Sequence, residues 1–205
     1  EPDPERLMEA AAEAEDAAAM VEIDWEVLPV AVDAETALDA DTQVIHESLG
    51  DNLAWKRNAD FGDVDAAYAA ADHVIEDTFI FGRHTGVCLE TRGLVADYES
   101  SEEQLTVWHN NQCPHMIQNI LATHYGLEEH RVRVITKDVG GSFGIKVHTY
   151  TDEITAVGLS VMLKRPVKFI ADRLESFTSD IHARDHRVKG KIAIKADGTI
   201  TAFEI

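Results

Sequence analysis

One segment, Arg131 to Leu163 (RVRVITKDVGGSFGIKVHTYTDEITAVGLSVML), constrains this chain more than any other. A short apolar strand, Val132 to Thr136, runs into a glycine-rich turn, Gly140-Gly141-Ser142-Phe143-Gly144, and a helical pattern follows. Glycines where a strand hands over to a helix let backbone N–H groups approach an oxyanion with no side chain in the way. The turn fits neither common phosphate loop. A Walker loop ends in Gly-Lys-Ser/Thr, whereas here Lys146 stands between Ile145 and Val147. A dinucleotide fingerprint needs G-x-G-x-x-G, which this order does not supply. On pattern alone the loop is either an anionic-cofactor site or a tight turn.

The rest of the chain reads as α+β, because strands and helices mix without strict βαβ repetition. Asp3 and Pro4 can cap and start a helix to about Met20, with Leu7, Met8, Ala11 and Ala18 on its thin apolar side. VEIDWEVLPV alternates, so it predicts a strand with Val21, Ile23, Trp25 and Val27 on one face, ended by Pro29. Residues 33–58 are polar and poorly periodic, a long connection. Gly62-Asp63 opens a short helix, and an extended run covers Val74 to Phe81. Leu94–Tyr98 and Leu105–His109 form a hairpin around Glu99–Glu103. Pro114 begins a helix striped by Met116, Ile117, Ile120, Leu121 and Tyr125, and Gly126 closes it. VKFIA predicts one more strand, and Asp197-Gly198 a last hairpin.

Charge narrows the partners. With 18 Lys plus Arg against 38 Asp plus Glu, the net charge is −20, a surface that repels nucleic acid and anionic membranes. No apolar run is long enough to span a membrane, and the acidic N-terminus is not a signal peptide. Cys88 and Cys113 lack CxxC spacing, which makes a reduced cytoplasm the expected setting. The chain does not begin with Met, which reads as a processed chain or an excerpt.

Besides the glycine loop, three segments carry side chains with chemistry to offer. Asn110-Asn111-Gln112-Cys113-Pro114-His115 lies where a strand hands over to a helix. Gln112 can both donate and accept there, and so could bond an oxo group, while Asn111 or Cys113 could simply cap the helix. Gly82 to Gly93 places His84, Glu90 and Arg92 between two strands, where the acid and the guanidinium are expected to pair structurally. His182 and His186 stand four apart, but in surroundings that look extended and lack a third ligand, so a surface or interface role is expected. The two cysteines read as buried thiols.

The ordered set HTGVCLETRGLVADY, VWHNNQCPHMIQNILATHYGL, RVRVITKDVGGSFGIK and RPVKFIADRLESF resembles the molybdenum-cofactor-binding large subunit of the xanthine dehydrogenase, aldehyde oxidase and aerobic carbon monoxide dehydrogenase family. The match runs from about Val21 to the end. The resemblance implies the tail of a hammerhead-type domain over residues 1–55, a connecting segment over 56–80 and an incomplete first molybdopterin-binding domain over 81–205. It also implies a pterin-bound molybdenum, with the cytosine dinucleotide as the expected form, that hydroxylates an aldehyde, carbon monoxide or an N-heterocycle with oxygen from water. Electrons would leave through iron–sulfur and FAD centres on partner subunits, in a homodimer of heterotrimers. Carried over by position, Gln112 matches the glutamine that bonds the apical oxo group. Gly140, Gly141, Ser142, Phe143 and Gly144 match the loop against the molybdenum end of the cofactor. No residue is expected to ligate the metal directly, because the pterin dithiolene supplies the sulfur ligands.

Ser142 stands where the family more often has a third glycine. Val147 replaces the glutamate that purine-hydroxylating members tend to carry after the loop lysine, which weakens the case for xanthine. The family's glutamate base and second cofactor domain lie outside this sequence, so the isolated chain is expected to be inactive. The rival expectation is a non-enzymatic α+β binding or scaffold module that keeps the fold without metal.

Overall fold

A computed structural model describes residues 3–205, which divide into one unit ending at Phe61 and another running Gly62–Ile205. In the first unit, helix α1 (Pro4–Ala19) starts as expected, with the Asp3 carboxylate accepting from Glu5 N at 3.1 Å. Met8, Ala11 and Ala18 are exposed; the side chain of Leu7 lies outside the described set. The strand expected at Val21 does not form. Residues 21–32 run without regular structure, and Ile23, Trp25 and Val27 are exposed. Alternation marks a chain able to pair, but a strand exists only where a neighbouring edge accepts its hydrogen bonds, and the described residues of this unit contain none. Asn52 organises the following turns instead: its Oδ1 accepts from Ile45 N at 2.8 Å, and its Nδ2 donates to Ala37 O at 2.8 Å and Gln43 O at 3.0 Å.

The second unit carries two sheets. Helix α2 (Val64–Ala69), capped by Asp63, precedes β1 (His73–Phe81). Strand β1 pairs antiparallel with β6 (His186–Ile194), which pairs in turn with β7 (Ile200–Glu204) across the Asp197-Gly198 turn. All of β1 is exposed. Tyr68 of α2 reaches this sheet by donating to Lys191 O at 2.9 Å.

The other sheet has the order β4-β3-β2-β5, built from β2 (Gly93–Glu99), β3 (Gln104–His109), β4 (Val132–Ile135) and β5 (Val167–Ile170). Strands β2 and β3 make the expected hairpin. Helix α3 (Pro114–Tyr125), closed by left-handed Gly126, carries the chain over to β4, which lies parallel to β3. Helix α4 (Thr151–Leu163) returns it to β5 beside β2, and α5 (Arg173–Ser179) follows. One face of the sheet is the core. Leu94, Ala96, Leu105, Val107 and Val132 pack against Ile117 and Leu121 of α3 and Ala156 and Val157 of α4. Ser160, fully buried, ties α4 to β2: its hydroxyl accepts from Tyr98 N at 3.1 Å and lies 2.8 Å from Arg165 O.

The glycine turn does not feed a helix directly. A single 3-10 turn at Ile145–Val147 follows it, and α4 begins only at Thr151. The helix N-terminus is therefore not what the loop presents to a ligand.

Candidate functional site

Strands β3 and β4 are parallel neighbours, with Trp108 opposite Ile135, so the segments leaving them depart side by side. In sheets that contain parallel strands, the crevice outside their carboxyl ends is where ligands gather. From β3 comes Asn110 to Cys113; from β4 comes the glycine loop. They meet at Gln112, whose backbone N–H donates to Lys146 O at 3.1 Å and whose Oε1 accepts from the Ser142 hydroxyl. Because β2 is antiparallel to β3, its beginning lies at the same edge, and Asn110 fastens it there. Asn110 Oδ1 accepts from Gly93 N at 2.9 Å and its Nδ2 donates to Thr91 O at 2.8 Å. Three of the four candidate segments thus converge.

Residues 86–90 run alongside residues 140–145. Glu90 N donates to Gly140 O at 3.2 Å, while Gly140 N donates to the Glu90 carboxylate at 2.8 Å. A Cβ on Gly140 would stand 2.6 Å from Glu90 Cβ, closer than real carbons come, so this position excludes a side chain. Next to it Cys88 is buried, its Sγ 3.4 Å from Ser142 O. Gly141 has φ +102° and Gly144 φ +87°, and Phe143 holds a left-handed φ of +50° with its ring 76% exposed. Such backbone is disfavoured for a side chain, and where it persists it gathers at ligand clamps. Ile145 N donates back to Ser142 O at 2.8 Å and closes the turn.

That geometry leaves a specific opening. Among the described residues, the N–H groups of Gly141, Ser142, Phe143 and Gly144 donate to nothing. Neither does the Nε2 group of Gln112, a residue exposed at the same place. Successive unpaired backbone donors make an anion-binding concavity, and an amide N–H beside them can bond an oxo-type acceptor. The donors thus suit an anionic, oxo-bearing group. The described residues include no group of three or more His, Cys, Asp or Glu able to hold a metal ion.

Lys146 does not face this concavity as a phosphate-loop lysine would. It is buried, and its ammonium donates to Glu90 Oε2 at 2.6 Å. Burial works to raise the Glu90 pKa, but the hydrogen bonds from Lys146 and Gly140 outweigh it and hold the carboxyl below its ordinary range.

The expected Glu90–Arg92 pair is not formed, because each group has other partners: the Glu90 carboxylate is taken by Gly140 N and the Lys146 ammonium. Arg92, 1% exposed, points inward instead. Its Nε donates to Asp180 at 2.7 Å, its terminal nitrogens reach Asp152 at 2.9 and 2.8 Å, and one of these also reaches Glu153 at 3.0 Å. The guanidinium lies 3.7 Å from the centre of the Tyr150 ring. One cation thereby joins the segment before β2, the start of α4 and the end of α5. His109 Nε2 completes the cluster 3.3 Å from Glu153.

The remaining candidates lie outside the cradle. His84 packs edge-on against Phe81, and His182 and His186 are exposed, His186 at the start of β6. Burial pushes the Cys88 thiol up, away from the thiolate that nucleophilic work requires. Cys113 occupies the N-cap of α3 without a side-chain cap bond, and Asn111 Oδ1 accepts its N–H at 2.8 Å. A cleft of about 350 Å³ adjoins the site: Glu90, Thr91 and Asn110 line it together with Trp108, Lys137 and Lys168, while Gln112 and the glycine loop are not part of its lining.

Sequence reasoning passed over the Glu90–Gly140–Lys146 contact and the Arg92 cluster. One signal was available: a lysine between Ile145 and Val147, in the segment that returns to the core, demands a counterion.

The parallel β3–β4 edge and the loop N–H groups together present a site suited to an anionic ligand. Residues 45–205 match the family model described as the molybdopterin cofactor-binding domain, and the chain belongs to that family. The chain is 36% identical over 195 residues to the nicotine 6-hydroxylase large subunit of Paenarthrobacter nicotinovorans, covering 95% of this chain and 24% of that protein. It is 35% identical over 203 residues to the carbon monoxide dehydrogenase large chain of Afipia carboxidovorans, covering 93% and 25%. Among solved structures it is similar to quinoline 2-oxidoreductase from Pseudomonas putida 86, with TM-score 0.86, 33% identity and coverage of 94% and 24%. Reconstituted CO dehydrogenase from Oligotropha carboxidovorans superposes with TM-score 0.83 at 35% identity, covering 94% and 26%. The chain therefore spans about a quarter of the length of the relatives it matches.

Proposed function

We propose that this chain supplies one wall of the molybdenum site in the large subunit of a molybdenum hydroxylase. The carrying observation is the convergence of Gln112 with the unpaired N–H groups of Gly141 to Gly144 at the carboxyl ends of β3 and β4. When bound, the molybdopterin group supplies the oxidative hydroxylation of a carbon centre with oxygen from water. The protein's part is to hold and orient it. The loop N–H groups receive its anionic end, and they need no reorganisation, because Gly141 and Gly144 already hold the required backbone. The Gln112 amide donates to an oxo-type oxygen. The exposed Phe143 ring lies over Gly141 at the mouth of the loop.

The finer reading follows the resemblance. The substrate is an aldehyde, carbon monoxide or an N-heterocycle; the relatives' names, nicotine hydroxylase and carbon monoxide dehydrogenase, support that range. The cofactor is the cytosine dinucleotide form, and electrons pass to iron–sulfur and FAD subunits in a cytoplasmic homodimer of heterotrimers. Residues 1–55 form the tail of a hammerhead-type domain, 56–80 a connection that contributes α2 and most of β1 to the second unit, and 81–205 an incomplete first cofactor-binding domain.

The test is metal analysis of the full-length protein purified with its neighbouring chains from cells able to make the cofactor. Stoichiometric molybdenum that Gln112→Ala retains poorly or presents with an altered Mo(V) resonance supports this reading. Metal-free protein from such cells sinks it.

A further inference from the structure

The loop that offers its N–H groups to the cofactor is not rigid by its own composition, since three of its five residues are glycine. Something outside it must fix its ends. Glu90 does so with a single oxygen: Oε2 accepts from Gly140 N at 2.8 Å at the start of the loop and from Lys146 Nζ at 2.6 Å just beyond its end. The backbone of Glu90 adds a third tie, to Gly140 O at 3.2 Å. The same Lys146 accepts Gln112 N through its carbonyl, so the carboxylate that fixes the loop also fixes the backbone of the glutamine beside it. Glu90 is itself held from behind. Two residues on, Arg92 is anchored to three carboxylates in the interior.

We propose that Glu90 is a positioning residue for the cofactor: by spanning the glycine loop from Gly140 to Lys146, its carboxylate sets the loop N–H groups and Gln112 in register with one another. This rests on the molybdenum-site reading above. The bland alternative is that Glu90 only neutralises the buried ammonium of Lys146 and has no bearing on the loop.

The two roles separate once the ammonium is removed. In the full-length subunit purified with its partner chains, Lys146→Met leaves the Glu90–Gly140 bonds intact and has no buried charge to neutralise. Adding Glu90→Ala removes the carboxylate from a background that no longer needs a counterion, so both variants can fold. The expected result is that Lys146→Met, which opens one end of the span, loses molybdenum somewhat faster than wild type in prolonged dialysis, while Glu90→Ala/Lys146→Met loses it about tenfold faster again and shows an altered Mo(V) resonance, at the thermal midpoint of Lys146→Met. Glu90→Gln/Lys146→Met, whose amide oxygen can still accept from Gly140 N, recovers most of the retention. Equal retention and identical resonance in the two Lys146→Met backgrounds overturn the proposal and leave Glu90 a counterion. A wild-type subunit without molybdenum fails earlier, at the functional reading itself, and takes the proposal with it.

Discussion

Arg92 grips Asp152 with two nearly parallel hydrogen bonds of 2.9 and 2.8 Å, and so locks the segment before β2 to the first turn of α4. The fork matches a carboxylate in plane, which a lysine cannot do. Around it sit Glu153 and Asp180, so this guanidinium answers three acids at once.

Removing that charge leaves the acids facing each other. Arg92→Met should destabilise the subunit by about 3–5 kcal/mol, the usual cost of orphaning a buried ionic partner. Arg92→Lys should recover only part of this. Urea midpoints of the three proteins measure it, and a lysine variant as stable as wild type would show that the fork is immaterial.

Acid should loosen the same cluster. Burial tends to raise the Asp152 pKa, but the bonds and charge of Arg92 overcome it, so the folded carboxyl titrates below its ordinary value. A depressed folded pKa gives stability that is present above the unfolded value, about 4, and is lost as pH falls through the folded one. Glu90, shifted the same way, adds to the effect. Stability should thus hold from neutrality down to about pH 5 and fall below about pH 4. Asp152→Asn should flatten that acid limb in urea titrations run across the range; an unchanged slope would remove Asp152 from the account.

At the loop, Gly141→Ala places a side chain at φ +102°, with its Cβ 3.1 Å from the Phe143 ring. The strain should cost about 1–3 kcal/mol, and relief by a backbone shift should turn the N–H groups away from the cofactor. Lower molybdenum content at a modestly lowered thermal midpoint is the expected pair of results. Full content would mean that the loop tolerates another conformation.

Ser160→Ala tests the core rather than the site. Its hydroxyl is the partner of the Tyr98 N–H at 3.1 Å, and deletion leaves that part-buried group without this bond. A loss of about 1–3 kcal/mol is expected by chemical denaturation.

Thiol labelling distinguishes the cysteines. Cys88 is 3% exposed and its pKa is raised by burial, so a maleimide should spare it in the native protein and modify it in urea. Rapid native labelling of Cys88 would contradict the packing of residues 86–90 against the glycine loop.

Much of this architecture was legible because local signals and tertiary packing agreed. The β2–β3 hairpin, Pro114 and Gly126 bracketing α3, and the Asp197-Gly198 turn all followed from short-range chemistry. Gln112 and the glycine loop were legible as separate candidates and met because β3 and β4 are parallel neighbours. Two expectations failed for non-local reasons. Val21 to Val30 has the alternation of a strand without an edge to pair with, and Glu90 and Arg92 chose partners about 50 to 90 residues away. Spacing along a chain cannot reveal such partners; a buried charge only announces that one must exist.

The exposed length of β1 implies that the two sheets differ in how often they open. Beyond its pairing with β6, β1 is held by little more than the Glu76–Lys189 ion pair and the Phe81–His186 ring contact, and Ile75, Phe79, Ile80 and Phe81 are each more than half exposed. The β2–β3 pair, by contrast, sits over two helices. Amides of β1 and β7 should therefore trade hydrogen for deuterium through local fluctuations, and those of β2 and β3 only through global unfolding. The cradle at Gln112 grows from the second, slow-exchanging sheet, so breathing of the first can proceed without disturbing the groups that would hold a cofactor.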